Sequence, residues 1–259
     1  MLPVSLYDEI IINKGRKIAK KTALKDRLTV TCDDPLVPQG RQNLVYKAAS
    51  LVLNENGINE SVRIRIHKRI PVGAGLGGGS TDAAATLVGL NRLFRLGYTL
   101  KRLEKMSFAL GTDVPFFVRG VPARARGIGE RLTPLLGVPR VWLIILYPNF
   151  PVLSVEVYRN LPLKLTKAIV NTSINFSLGS PANLRKLLVN DLETVTMGRY
   201  PRIGLLKEEL ARQGAVGVLM SGSGSSVFGV FQSRRSAQRA FVRLRKEREV
   251  QAFLVRVLS

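Results

Sequence analysis

Apolar positions alternate or recur along most of this chain, and their period switches several times between that of a strand and that of a helix. "VSLYDEIIIN" (4–13) and "DRLTVTCD" (26–33) read as strands separated by a basic turn. In "NLVYKAASLVLNENG" (43–57), Leu44, Val45, Ala48, Leu51 and Leu53 recur at helical spacing and Gly57 is a stop. "SVRIRIHKRIP" (61–71) alternates Val62, Ile64 and Ile66 with Arg63, Arg65 and His67, which predicts a half-exposed strand feeding a glycine-rich loop. Beyond that loop, Ala83, Ala84, Leu87, Leu90 and Phe94 predict a helix that stops at Gly97. A second helix is predicted in "TLKRLEKMSFALG" (99–111), before "DVPFFVRG" (113–120), a glycine-containing turn in "ARGIGE" (125–130) and a buried strand in "VWLIILY" (141–147).

After "YPNFP" the pattern restarts, with helical stretches at 154–160, 181–198 and 201–213. "AVGVLMSGSGSSVFGVF" (215–231) reads as two strands joined by a turn, and a basic helix and a last strand, "AFLVRVL", follow. Helices alternating with strands that short turns pair imply an α+β fold rather than a doubly wound sheet.

The loop poses the chemical question. "PVGAGLGGGSTDAAATL" (71–87) packs five glycines, Gly73, Gly75, Gly77, Gly78 and Gly79, against the start of a helix. Glycine costs conformational entropy, so such a cluster needs a reason. A glycine-rich loop entering a helix N-terminus brings free N–H groups and the positive end of the helix dipole to an anion, which makes it a phosphate site. Ser80 or Thr81 is expected to cap the helix, with Asp82 in its first turn. The loop is not a Walker loop, because no lysine follows Gly78 or Gly79. It lacks the acidic partner of a dinucleotide site, and the H-R-D and D-F-G strings of protein kinases do not occur.

Composition narrows the class. The chain has 259 residues, 46% of them hydrophobic, enough for one large or two small domains. No apolar run reaches membrane-spanning length, so no membrane partner is expected. The first residues carry acids and lack a basic n-region, and a cytoplasmic location is expected. One cysteine, Cys32, and one histidine, His67, argue against an internal disulfide or a Cys/His metal site. Forty Lys and Arg against 18 Asp and Glu give a charge of +22, a field that attracts phosphates and, non-specifically, nucleic acid. "NKGRKIAKK" (13–21) and "RRSAQRAFVRLRKER" (234–248) are the dense stretches. The second carries Ala237, Ala240, Phe241 and Leu244 at helical spacing and reads as the solvated face of an amphipathic helix or as a nucleic-acid reader.

Two single residues stand out before any family is considered. Lys68, just ahead of the loop, is either a phosphate contact or a solvated strand end. Asp113, between Gly111 and Val114–Pro115, holds a sharp, constrained position for a carboxylate, either catalytic or a helix cap, a role that Thr112 can fill equally well. His67 falls on the strand face of Arg63 and Arg65 and reads as a surface residue.

"PVGAGLGGGSTDAAATL", "GTDVPFFVRGVPARARGIGERLTPL" and "MSGSGSSVFGVF" together resemble the motifs of the GHMP kinases (galacto-, homoserine, mevalonate and phosphomevalonate kinases). "SLYDEI", "TCDDPLVPQGRQNLVYKAA" and "NDLE" make the wording most similar to the branch acting on diphosphocytidyl methylerythritol in non-mevalonate isoprenoid synthesis. The resemblance implies an N-terminal ribosomal-protein-S5-like domain (1–148), a C-terminal α+β domain (149–259) and an active site between them. It implies ATP with Mg²⁺ and transfer of the γ-phosphoryl to the 2-hydroxyl of a substrate bearing a diphosphate and cytidine. By motif position it implies Asp113 as the catalytic aspartate. It implies nucleotide contacts from Pro71, Val72, Gly73, Ala74, Gly75, Leu76, Gly77, Gly78, Gly79, Ser80 and Thr81, with Asn43 near the adenine and Lys68 nearby. Mg²⁺ would arrive with ATP near Ser80 rather than in a site of protein ligands alone.

Ser154 and Tyr158 resemble the region beside the cytidine, with a core aromatic as the rival for Tyr158; Gly222, Ser223 and Gly224 resemble the third motif, compatible with a simple turn. For Asn43 the rival role is a helix N-cap. Family members also carry P-A-K-[IL]-N and D-G-Y-H elements, which supply a lysine near the reacting phosphate and an aromatic–histidine pair near the cytosine. Neither string occurs here, so weak turnover with better-preserved ATP binding is expected. A GHMP kinase for another small alcohol, or a non-catalytic basic nucleic-acid-binding protein on the same S5-like fold, are the other functions compatible with the sequence, as a monomer or homodimer.

Overall fold

The computed structural model describes residues 1–19, 23–127, 129, 131–138, 141–161 and 188–258. Of the predicted helical stretch at 181–198, residues 181–187 lie outside them. Chain contacts divide the protein into two compact units. The first comprises Met1–Pro3, Tyr7–Val72 and Gly77–Leu136; the second comprises Val4–Leu6, Gly73–Leu76 and Gly137–Ser259. The expected division at 148/149 differs in three stretches that fall in the second unit: Val4–Leu6, Gly73–Leu76 and the stretch from Gly137, which includes strand 142–147, interior to that unit's sheet.

In the first unit, β1 (Glu9–Lys17), β2 (Leu28–Cys32) and β3 (Glu60–His67) form a sheet of order β1-β3-β2. β1 runs antiparallel to β3 and β2 parallel to it. The alternation along β3 behaves as read: Val62, Ile64 and Ile66 are buried, while Arg63 and Arg65 are exposed. Against the buried face lie α2 (Leu44–Glu55) and α3 (Gly78–Leu93), whose Val45, Ala49, Val52, Ala83, Leu87 and Leu90 complete the core. Each fully buried aliphatic side chain of this kind stabilises by roughly 1.5–3 kcal/mol. Preceding β2 is a single-turn helix, α1 (Leu24–Arg27), too short for periodicity to reveal. α4 (Leu100–Ser107) and α5 (Val114–Arg119) pack together, and α5 also packs on α3. A hairpin of β4 (Ala123–Arg126) and β5 (Arg131–Pro134) stands where the sequence suggested only a turn.

The predicted strand at 4–13 breaks in two. Val4 bridges Val257 within the second unit, whereas β1 starts at Glu9. Asp8 between them is withdrawn from any ladder by its carboxylate's contacts, described below.

The second unit is built on a four-stranded antiparallel sheet of order β7-β8-β6-β9, from β6 (Trp142–Tyr147), β7 (Gly217–Met220), β8 (Val227–Phe231) and β9 (Gln251–Arg256). α6 (Ser154–Arg159), α7 (Leu192–Arg199), α8 (Arg202–Arg212) and α9 (Arg234–Leu244) belong to it. Ile144, Leu146, Leu210, Phe231 and Leu244 lie in one apolar core. No helix among the described residues is long and apolar enough to cross a membrane.

Candidate active site

The glycine loop is shared. Residues 73–76 pack with the second unit and residues 77–81 with the first. In the second half, Gly77 is the N-cap of α3, held in the left-handed region at φ 69°. Neither Ser80 nor Thr81 caps, contrary to expectation, because the helix starts earlier, at Gly78. Thr81 N–H makes the first helical bond, 2.9 Å to Gly77 O, which leaves the Gly78, Gly79 and Ser80 N–H groups without helical acceptors. Thr81 Oγ1 also donates to Gly77 O, at 3.0 Å, so its hydroxyl is turned onto the helix itself. Ser80 Oγ makes no hydrogen bond among the described residues, which separates two hydroxyls that the sequence left equivalent.

Phe117 of α5 lies against the cap. A Cβ at Gly77 would come within 2.6 Å of its ring, so this glycine answers to the aromatic as well as to its backbone angle. Asp113 precedes Phe117 by four residues at the N-terminus of α5 and makes no side-chain capping bond. The rival capping role is therefore absent. Asp113 as a residue is exposed, yet enough protein surrounds its carboxyl that desolvation raises its pKa above the ordinary aspartate value.

Lys68 is the chief correction. Its side chain is only 4% exposed, and its ammonium donates to Asp8 Oδ2 and, at 2.9 Å, to Asp82 Oδ2. It is neither a solvated strand end nor an ammonium free for a phosphate. Asp8 Oδ1 further accepts from the Arg69 and Ile70 N–H groups at 2.6 and 2.8 Å. Burial alone would lower the Lys68 pKa, but the two carboxylates hold it above the ordinary lysine range. Burial pushes the Asp82 carboxyl up to about 7 against the pull of Lys68, with the charge of Asp8 adding to the rise. Asp82 Oδ1 is buried without a partner. This triad ties the exit of β3 and the stretch before β1 to the second turn of α3. Asp8 and Asp82 carried no functional assignment in the sequence, because only the fold brings them to Lys68.

Asn43 is buried and caps α2, its Oδ1 accepting from Val45 N–H at 2.8 Å. The next residue, Leu44, stands 3.6 Å from where a Cβ on Gly79 would be, so this cap adjoins the start of α3. His67 is partly exposed and pairs with Asp33 at 3.1 Å, as a surface residue would.

In the first half of the loop the carbonyls are taken by the second unit. Gly73 O accepts from Val152 N–H, Ala74 O from Ser226 N–H and Gly75 O from the Ser221 hydroxyl, at 2.9, 3.1 and 2.9 Å. Gly75 has φ 72°, and a Cβ there would lie 2.1 Å from Ser221 O and 2.7 Å from Gly224 O. Beside it, Ser223 and Ser154 share a hydroxyl contact of 2.7 Å. Asn190 Nδ2 donates to Met220 O and Gly222 O, and Thr196 Oγ1 donates to Ser223 O, fixing the 221–224 turn from α7 and the residues before it. Tyr158 is 62% exposed and so is not a core aromatic. Among the described residues no group of three His, Cys, Asp or Glu side chains could hold a metal ion.

Comparison with known proteins identifies the family. Residues 43–121 match the GHMP kinases N-terminal domain and residues 167–249 the GHMP kinases C-terminal domain. A 4-diphosphocytidyl-2-C-methyl-D-erythritol kinase of Citrifermentans bemidjiense is 45% identical over the whole of this chain and 89% of its own length. One of Geobacter metallireducens is 44% identical over 87% of this chain and 83% of its own. A crystal structure of 4-(cytidine 5'-diphospho)-2C-methyl-D-erythritol kinase superposes with a TM-score of 0.77 at 33% identity, covering all of this chain and 88% of that one. Homoserine kinase from Cytophaga hutchinsonii, at 20% identity and a TM-score of 0.73, shares the fold. The chain belongs to the GHMP kinases, in the branch of the 4-diphosphocytidyl-2-C-methyl-D-erythritol kinases.

Proposed function

We propose that the chain transfers the γ-phosphoryl of ATP to the 2-hydroxyl of 4-diphosphocytidyl-2-C-methyl-D-erythritol, a step in non-mevalonate isoprenoid precursor synthesis. The observation that carries this reading is the 45% identity, over the whole chain, to a relative bearing that substrate's name. The geometry agrees in kind. Phosphoryl transfer asks a protein mainly for positioning and charge neutralisation. The Gly78, Gly79 and Ser80 N–H groups have no helical acceptors and sit at the positive end of α3, where an anion is favoured.

Asp113 is the group we assign to the attacking hydroxyl, as proton acceptor or orienter; its raised pKa keeps it a better base than an ordinary aspartate. Ser80 Oγ is the hydroxyl able to meet phosphate or a nucleotide-borne Mg²⁺. When bound, Mg²⁺ would neutralise charge on the β- and γ-phosphates. Ser154, Tyr158 and the Gly222–Gly224 turn are assigned to the cytidine diphosphate, with the exposed ring of Tyr158 offered for stacking on the base.

The test is ADP release from the purified chain with ATP and, in turn, the diphosphocytidyl alcohol, homoserine and mevalonate. Turnover confined to the first, by roughly a hundredfold or more in kcat/KM, supports the reading. Equal or faster turnover of another alcohol would overturn it.

A further inference from the structure

α9 has two unlike faces. Ala237, Ala240 and Leu244 are buried in the second unit's core, so the helix is anchored by its apolar side. The opposite side carries Arg235, Arg239, Val242 and Lys246, all exposed, at i, i+4, i+7 and i+11, which places them in one stripe that runs just past the helix end. Arg234 and Arg243 flank the stripe, and these side chains border one shallow open groove. No acidic residue occurs from 234 to 246. None of these basic groups is in an ion pair among the described residues, although Arg243 donates to the neutral Gln213. Trp142, partly exposed at the start of β6, lies with the Arg234 guanidinium 5.5 Å above its ring.

We propose that this face binds the phosphate backbone of single-stranded nucleic acid without sequence preference. Arg235 and Arg239 stand roughly 6 Å apart along the helix axis, an unneutralised row of forked donors matched to phosphate oxygens. A basic track with an aromatic beside it is the combination that sequence-tolerant single-strand surfaces use. A bilayer suits the face poorly, because the apolar side that would insert is already buried and Val242 alone is exposed on the stripe. An acidic protein partner would need an apolar centre around which to exclude water, and the stripe offers none.

The proposal stands apart from the kinase reading, so the two fail separately. Trp142 is the only tryptophan in the chain, and its fluorescence reports binding of poly(U) directly. The parent is compared with a triple variant, Arg235→Gln/Arg239→Gln/Lys246→Gln, and with Arg235→Lys/Arg239→Lys, which keeps the charge. Three lost contacts should flatten the slope of log K against log salt by about 2 and weaken binding about 50-fold near 0.15 M salt. ADP release and melting temperature should not move, and the lysine variant should keep the parent's salt slope. Unchanged affinity and slope in the triple variant would overturn the proposal. So would tighter binding of phosphatidylserine vesicles or polyglutamate than of poly(U) at the same salt.

Discussion

The two halves of the glycine loop use the same residue for opposite ends. From Gly73 to Gly75 the backbone carbonyls are bound, and a side chain at Gly75 would strike the carbonyls of Ser221 and Gly224. From Gly77 to Thr81 the chain turns into α3, and three N–H groups are left pointing away from any helical acceptor. Glycine in the first half lets protein approach protein throughout; in the second half Gly77 and Gly78 still make room for Phe117, Lys68 and Ile70, but the N–H groups of Gly78, Gly79 and Ser80 are left without helical acceptors. A loop read only as a phosphate cradle merges these roles. A substitution chosen from the sequence, such as Gly77→Val, would then be misread, since its side chain meets Phe117 rather than an anion's path.

The largest effect that would sharpen this contrast belongs to chemistry beside the second half. Asp113→Asn should slow turnover by about 10²- to 10⁴-fold, the range typical of a general base, while denaturant midpoints stay put. Because burial raises the Asp113 pKa, its loss of charge on acidification begins at a higher pH than for an ordinary aspartate. The acid limb of kcat/KM should therefore lie above the usual carboxylate range in the parent and vanish from the residual activity of the variant. An acid limb unchanged in the variant would take Asp113 out of the mechanism.

Lys68→Met comes next and acts through structure. Removing the ammonium leaves Asp8 and Asp82 facing each other in a buried site, and breaking such a pair costs about 3–5 kcal/mol. Urea unfolding measures it. The same triad gives stability a pH dependence with a definite sign. Asp82 holds its proton up to about 7 in the native state, whereas an unfolded aspartate has released it near 4. The native state thus binds more protons across that window, and this group's contribution to stability falls as pH rises through it. Asp82→Asn should flatten that fall. A parent whose stability shows no such fall between pH 5 and 8, and no change in its pH profile on Asp82→Asn, would show that Asp82 is ionised throughout.

Gly75→Ala tests the first half. The left-handed backbone disfavours any Cβ, and the obstruction is backbone rather than a flexible side chain. We expect a loss of about 3 kcal/mol, seen as a lower urea midpoint. A fully stable variant would mean that the first half is not held as closely as described.

Much of this architecture was legible in the chain. β3 showed itself by strict alternation and α2 by its periodicity, since each of these signals is local, and Asn43 takes the N-cap role that was the rival to a place near the adenine. The β4–β5 hairpin was not read, because Arg-rich strands of four residues lack an apolar stripe. Ser80 looked like a cap because serine usually is one, but the start of α3 was decided by the left-handed turn at Gly77 and the packing of Phe117. The triad was invisible for a different reason. Sixty residues separate Asp8 from Lys68, and nothing local to either announces a buried partner.

Gly79 isolates the ligand's share of the loop. It is the second residue of α3 and has an ordinary helical backbone, and a Cβ there would meet only Leu44 Cδ1 at 3.6 Å, a normal contact. Packing therefore gives no reason for glycine at this position, and helix propensity argues against it by up to about 1 kcal/mol relative to alanine. Gly79→Ala should leave the urea midpoint unchanged or raise it slightly. If the N–H groups of Gly78, Gly79 and Ser80 receive ATP phosphates, the added methyl should still weaken ATP binding, by roughly tenfold or about 1.4 kcal/mol. Calorimetric titration with a non-hydrolysable ATP analogue separates the two effects in one protein. Stability preserved with affinity lost assigns this glycine to the ligand, in contrast to Gly75. Affinity equal to the parent's would remove the start of α3 from the phosphate site and leave the loop's glycines explained by packing alone.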